Sequence, residues 1–192
     1  MKYVKILSLA AVAAMALMAF AASSASATAL YSNTTKLGAG SVIDFSIPSG
    51  KTAVLVDTTG EELDTCSTST VKGKLSTATT GAIEELTWSG CTFPTNTITK
   101  GKLEVTGGAE TKGTVKADAT IEVTINTIFF GSCIYGVTSG TSVGTLAGNP
   151  AVFTANAVAE KFSGSNLACP ETSKWTGTYN ATSPEKLHVE TE

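Results

Sequence analysis

Four cysteines that follow an export-type N-terminus constrain this chain more than any other feature. They stand at Cys66, Cys91, Cys133 and Cys169, and the chain carries a single histidine. An even number of cysteines behind a secretory signal indicates disulfides more than metal ligands or nucleophiles. The sequence therefore predicts two disulfides, an oxidising compartment and neither a metal nor a cofactor.

The first 27 residues have the pattern of a signal peptide. Lys2 and Lys5 supply positive charge, a long apolar run follows, and Ala25-Ser26-Ala27 is a small-residue cleavage site. An uncleaved membrane anchor is the alternative, since the apolar run approaches the shortest spanning length. The cleavage pattern that directly follows the run favours removal. We predict a secreted or cell-wall-associated protein with one domain over residues 28–192 and no integral membrane segment after cleavage.

The composition of the remaining chain indicates a β protein outside the nucleic-acid-binding classes. Threonine, valine, isoleucine and glycine recur throughout it, and β-branched residues suit a pleated, half-buried surface. The formal net charge of the whole chain is -3, and signal cleavage removes two lysines from it. A negative surface repels phosphate backbones, so no nucleic-acid partner is expected.

Alternating apolar residues predict the strands. The clearest run is 115–125, where every second residue is apolar from Val115 to Ile125. Residues 41–47 and 52–57 are interpreted as a hairpin around Pro48-Ser49-Gly50. Residues 151–162 also fit a helix because of their alanines, but strand is the prediction. Further strands are predicted at 97–106, 133–137, 143–147, 174–179 and 187–189.

These segments predict an all-β fold, an antiparallel β-sandwich with Greek-key or jelly-roll connections and two disulfides. Residues 120–130 combine β-branched and aromatic side chains with little charge. If they formed an exposed edge, they would pair readily with another chain. Strand addition is therefore the predicted route to self-association.

A hairpin in residues 63–93 predicts the first disulfide. With a turn near Ala78-Thr79, one register places Cys66 opposite Cys91, Val71 opposite Leu86 and Leu75 opposite Ala82. Directly opposed residues of an antiparallel pair have Cα separations compatible with a disulfide. Pairing of Cys133 with Cys169 then follows by elimination among the three connectivities that four cysteines allow.

The cysteine and aromatic framework resembles that of uncharacterised secreted proteins of soil actinobacteria. The resemblance spans nearly the whole chain after the signal. It implies a common fold and carries no catalytic residues with it. The segments that carry it are the run from Leu30-Tyr31-Ser32 through Asp64-Thr65-Cys66, then Ser89-Gly90-Cys91, Cys133-Ile134-Tyr135, Cys169-Pro170, Lys174-Trp175-Thr176-Gly177-Thr178-Tyr179 and Ser183-Pro184.

Candidate chemistry is sparse. His188 lies in a terminal strand whose alternation would point it away from the core, and no G-x-S-x-G elbow accompanies it. The cysteines contain no C-x-x-C pair for zinc. The acidic stretch 57–64 is either a solvated turn or a calcium loop, although it lacks EF-hand spacing. Glu84 and Glu85 are neighbours on a strand, so we expect them to point to opposite faces and not to converge on one bond.

Aromatic residues are the remaining candidates for ligand contact. They can form a flat platform on which sugars stack, or they can fill the core, as Trp175 and Tyr179 would because they share a strand face. A cell-wall polymer or polysaccharide is the partner that such a platform would suit. The residues in question are Trp88, Phe130, Trp175 and Tyr179.

Two classes of function are compatible with the sequence. The first is a non-enzymatic extracellular or cell-surface protein with a structural, adhesive or binding role, favoured by the disulfides and the scarcity of catalytic side chains. The second is a secreted hydrolase acting on polysaccharide or peptide. Two converging carboxylates in a cleft would favour the hydrolase.

Overall fold

The structure, a computed structural model, describes residues 28–93, 96–106, 112–127 and 131–191. The predicted signal peptide lies outside these ranges. The described residues form strands and turns without any helix, which confirms the all-β prediction. That part of the chain accordingly holds no helix long and apolar enough to span a membrane. The strands are β1 (Thr28–Ser32), β2 (Thr35–Lys36), β3 (Val42–Ser46), β4 (Ala53–Asp57), β5 (Glu62–Leu75), β6 (Thr80–Cys91), β7 (Asn96–Thr106), β8 (Lys112–Thr127), β9 (Gly131–Val137), β10 (Ser142–Ala147), β11 (Val152–Lys161), β12 (Thr172–Ser183) and β13 (Leu187–Thr191).

The main sheet is antiparallel and closes on itself. Its ten strands follow the order β10-β11-β9-β8-β7-β6-β5-β3-β12-β4, and β10 also pairs with β8, β11 with β12 and β5 with β4. The layers of the predicted sandwich are therefore continuous around one enclosed core. The alternation in β8 is confirmed, since Val115, Ala117, Ile121 and Ile125 are all buried in that interior.

Strands β3 and β4 do not form the predicted hairpin. Both run antiparallel to β5, with Phe45 opposite Val71 and Ala53 opposite Cys66, and both also pair with β12. They are two parts of one interrupted strand. The hairpin prediction is wrong because β5, which is 14 residues long, offers backbone partners to both segments. Strands β9 and β10 repeat this arrangement between β8 and β11.

The hairpin of β5 and β6 has the predicted register over most of its length. Cys66 faces Cys91 and Val71 faces Leu86, as predicted. Beyond Lys72 the register shifts by one residue, so Leu75 faces Gly81 and the predicted pairing of Leu75 with Ala82 is wrong. The shift is a β-bulge, in which one strand carries an extra residue, here Glu84 of β6.

Both predicted disulfides are present. The Cys66–Cys91 bond joins opposed residues of β5 and β6, and the Cys133–Cys169 bond joins β9 to the loop after β11. Around the second bond, Leu63 of β5, Ile125 of β8 and Tyr135 of β9 form a small buried cluster. Two crosslinks of this kind indicate an oxidising, extracellular environment.

A second, three-stranded sheet, in the order β13-β1-β2, packs against the closed sheet. Its inner side chains are Leu30, Leu187 and Val189, which are almost completely buried and belong to the main core. Contacts of β13 with β8 and β10 and of β1 with β7 place this sheet against the ring. These three side chains therefore extend the enclosed core.

Strands β6 and β7 pair along only a short part of their length. Only residues 80–82 of β6 pair with residues 102–104 of β7, so the described parts of these strands have no further ladder with each other. Residues 83–91 of β6 and 96–101 of β7 pair with β5 and β8, respectively, but not with each other. We call this region the β6–β7 split. Strand β8 is instead paired on both sides, with β7 and with β9. An exposed edge at 120–130 is therefore wrong for the part of that segment that the structure describes.

Candidate functional site

The aromatic candidates form a core cluster and not a surface platform. Trp88, Trp175, Tyr179 and Phe153 pack against one another, with ring centroids 5.8 Å apart for Trp175 and Tyr179 and 6.4 Å apart for the two tryptophans. The planes of those two pairs cross at 73° and 81°, so the rings meet edge to face. Tyr179 is fully buried and the two tryptophans are half-buried against the core, so these three rings are not arranged as one flat platform. Phe130 lies outside the described residues.

Tyr179 is the centre of this cluster. Its side chain is 0% exposed, because Gly177 leaves space beside the ring, where an added Cβ would come within 2.9 Å of it. The tyrosine hydroxyl donates a hydrogen bond to Ser69 Oγ at 3.1 Å. Burial raises the pKa of Tyr179 to about 12, and the nearby Ser69, Trp175 and Trp88 side chains offset part of the rise. The phenol is therefore neutral and internally satisfied.

Beside the aromatic cluster the core leaves a cavity of about 80 Å³, the main cavity. It exists because β11 presents small side chains to the interior, with Ala157 opposite Trp175 and Ala159 opposite Ser173. Its lining is almost wholly apolar and also includes Trp88 and Ile83 of β6, beside the β6–β7 split. Protein interiors contain few voids larger than a water molecule, so a space of this size is a candidate binding site.

A second cavity of about 60 Å³ adjoins the first. The side chains that line both are Val71, Ile83, Leu103 and Phe153. A movement of one of these side chains would therefore change both spaces together.

Two polar side chains of β12 line the main cavity without a hydrogen-bond partner. They are Ser173, through its Oγ, and Trp175, through its Nε1, and both atoms are buried. Neither residue was singled out by sequence for its polar atom. The signal that could have located the cavity is the period-two series Ala155, Ala157 and Ala159, which was read only as an ambiguity between helix and strand.

One carboxylate, Asp64, reaches the main cavity among the described residues. Its Oδ1 accepts hydrogen bonds from the backbone N–H groups of Thr65 at 2.9 Å and Phe93 at 3.1 Å. Asp64 also lies beside Cys66 and Cys91, a group of metal-ligand types. The two sulfurs are bonded to each other, so they are not thiolate ligands. The geometry supports a structural role for Asp64.

The acidic stretch folds as a turn. Asp57 Oδ1 accepts hydrogen bonds from the Thr59 hydroxyl at 2.7 Å and from the backbone N–H groups of Thr59 and Glu61. The Thr59 hydroxyl, with the backbone bonds, holds the pKa of Asp57 below its usual value. The other end of the stretch, Asp64, is buried in β5. The carboxylates at its two ends serve the local fold, which favours the solvated-turn interpretation over a calcium loop.

His188 is buried, although the alternation of β13 predicts that it points away from the core. Its ring lies beside Tyr31, Nδ1 lies 2.8 Å from the Lys186 carbonyl oxygen, and Nε2 lies 2.8 Å from Glu190 Oε1. Its neighbours Leu187 and Val189 are the residues of β13 that belong to the main core, and His188 is covered by residues of the small sheet instead. Both ring nitrogens have partners, so the arrangement fits a structural histidine.

Glu84 and Glu85 are both exposed, so the expectation of opposite faces is wrong. The bulge at Glu84 interrupts the alternation and leaves two consecutive outward residues. Glu85 pairs with Lys72 at 3.1 Å. Neither glutamate lines the two cavities described above, so the pair is not directed at an enclosed site.

Comparison of the chain with protein-family models, with curated proteins and with solved structures gives no match.

Proposed function

We propose that the mature chain is a secreted, non-enzymatic binding protein and that its site is the main cavity. The observation that carries the proposal is an almost wholly apolar space of about 80 Å³ beside two tryptophans, next to a second space of about 60 Å³. A sheet closed on itself encloses an interior that side chains fill or that holds one small ligand. Apolar cavities stay dry and take up apolar molecules.

The arrangement of carboxylates supports binding over hydrolysis. Polysaccharide hydrolysis uses two carboxyl groups about the scissile bond, and the described residues bring only Asp64 to the main cavity. The signal-type N-terminus and the two disulfides support secretion. Resemblance to secreted proteins of soil actinobacteria remains a prediction.

The chain carries its own reporter for this test. Its two tryptophans are Trp88 and Trp175, and both line the main cavity. We expect toluene, titrated into the oxidised mature protein, to change their fluorescence with a saturable response. The same titration with xenon, followed by NMR, should shift signals of residues that line the cavity.

Ala157→Val is the test variant, because its added methyl groups would occupy the main cavity. Ala155→Val is the matched control: Ala155 lies on the same face of β11 and is equally buried, but it does not line the cavity. We expect toluene binding to be lost in Ala157→Val and kept in Ala155→Val. Equal binding by both variants, or no binding by the parent protein, would refute the proposal.

Two parallel assays test the competing functions. Retention of the protein on cell-wall polymers or polysaccharides, unchanged by Ala157→Val, would move its role to the outer surface. Turnover of polysaccharide or peptide substrates that is lost in Asp64→Asn would favour the hydrolase.

A further inference from the structure

We propose that the ligand of the main cavity is an uncharged molecule about the size of one aromatic ring, with a single oxygen head group bound at Ser173. The inference rests on the proposed function and adds the chemical class of the ligand. Its basis is the buried hydroxyl of Ser173, which lines the cavity and has no hydrogen-bond partner.

Unpartnered polar atoms are exceptional in a folded interior. The large majority of buried side-chain polar atoms make at least one hydrogen bond. Ser173 is 1% exposed, and it lies two residues before Trp175 on the inner face of β12. An unpartnered hydroxyl on the wall of a cavity points to a polar group that the ligand brings.

Another polar group of β12, the Tyr179 hydroxyl, has a hydrogen-bond partner inside the protein. Farther along the same inner face, the Tyr179 hydroxyl is bonded to Ser69. The Trp175 indole lies beside the same hydroxyl and helps to lower its pKa, so this polar group is directed at Tyr179. Ser173 has no such neighbour, and it lines the cavity.

The remaining lining defines the body of the ligand. Ala157 and Ala159 stand beside Trp175 and Ser173 on the neighbouring strand, and Trp88 adds an aromatic surface. This apolar lining offers dispersion contacts to the rest of the ligand. An uncharged hydroxyl or carbonyl is the head group that suits a serine hydroxyl.

Charge and size narrow the class further. Asp64 is the one carboxylate at the cavity within the described ranges, and its negative charge disfavours an anionic head. An apolar cavity of roughly 150 Å³ admits benzene, whereas the main cavity measures about 80 Å³ and adjoins one of about 60 Å³. One ring or a short chain is therefore the upper limit, reached through movement of the shared side chains.

The experiment compares phenol with toluene, which differ by a hydroxyl in place of a methyl group. Affinities are measured by tryptophan fluorescence and calorimetry on the oxidised parent protein and on Ser173→Ala. We expect Ser173→Ala to weaken phenol binding about fivefold relative to toluene binding, the value of one net hydrogen bond. Benzoate, an anion of similar size, should bind neither protein.

The outcomes separate this inference from the proposed function. Binding of toluene that is lost in Ala157→Val, combined with phenol binding that Ser173→Ala does not weaken, overturns the head-group assignment alone. Benzoate binding as tight as that of phenol also overturns it. Absence of any toluene or phenol binding to the parent protein overturns the proposed function and this inference together.

Discussion

Ser69 and Ser173 form a matched pair for measuring what an unsatisfied hydroxyl costs this core. Both are buried, at 0% and 1% exposure, but Ser69 accepts a hydrogen bond from Tyr179 whereas Ser173 has no partner. Substitution of each by alanine removes the same oxygen. We expect opposite effects on the free energy of unfolding, because only one of the two oxygens is bonded.

The magnitudes follow from the cost of burying an unpaired polar group, about 1–3 kcal/mol in proteins. Ser173→Ala removes such a group, and we expect a gain of about 1 kcal/mol, the low end of that range. Ser69→Ala leaves the Tyr179 hydroxyl unpaired, and we expect a loss of about 1–3 kcal/mol. For a chain of this size each kcal/mol shifts Tm by about 2–4 °C.

The assay is reversible urea unfolding with the disulfides intact, followed by circular dichroism and tryptophan fluorescence. The dependence of the free energy on urea should be equal for the parent and both variants, since the exposed area is unchanged. Tyr179→Phe combined with Ser69→Ala gives the coupling between the two hydroxyls. Destabilisation of similar size in both serine variants would show that Ser173 has a partner, and the reasoning would fail.

Three further predictions concern the framework of the fold. Replacing Cys133 and Cys169 together by alanine should lower the free energy of unfolding by about 3–4 kcal/mol, because the bond spans 36 residues and loop closure in the unfolded chain sets its value; urea unfolding measures this, and an unchanged midpoint would contradict it. The pKa of Tyr179 is raised to about 12, so the unfolded chain loses the phenol proton first as the pH rises. The free energy of unfolding should therefore fall by about 1.4 kcal/mol between pH 9 and 11 through this group. Tyr179→Phe should remove that part of the pH dependence of stability, and an identical pH dependence in the variant would refute the prediction. Ile83→Ala should join the two cavities, cost about 2 kcal/mol and increase the affinity for ethylbenzene relative to toluene, measured by calorimetry; an unchanged ratio would speak against the shared wall.

Local patterns carried most of the fold prediction. The period-two alternation in β8 and the opposed pairs Cys66–Cys91 and Val71–Leu86 depend on neighbours within one strand or one hairpin, and the structure confirms them. The strand assignment of residues 151–162 is confirmed for the same reason. The bulge at Glu84 was missed because one extra residue changes the register without any change in composition.

Long-range pairing could not be predicted. The hairpin around Pro48 was a reasonable local interpretation, but β3 and β4 are held by β5 and β12, whose positions the local sequence does not encode. His188 is buried by packing of the small sheet. The cavity is likewise a property of the assembled ring: the alanines of β11 create space only because Trp175 and its neighbours do not fill it.

Closure of the ring has a consequence for how the chain folds. Strand β12 pairs with β3 and β4, so the seam joins segments that are far apart in the sequence. Folds that depend on such distant contacts form slowly. Until β12 arrives, β3 and β4 expose backbone groups that a second copy of the chain can pair with. We therefore expect slow refolding, and aggregation at high protein concentration, to arise before this seam has formed. In the folded ring the backbone groups along the seam are paired within the chain.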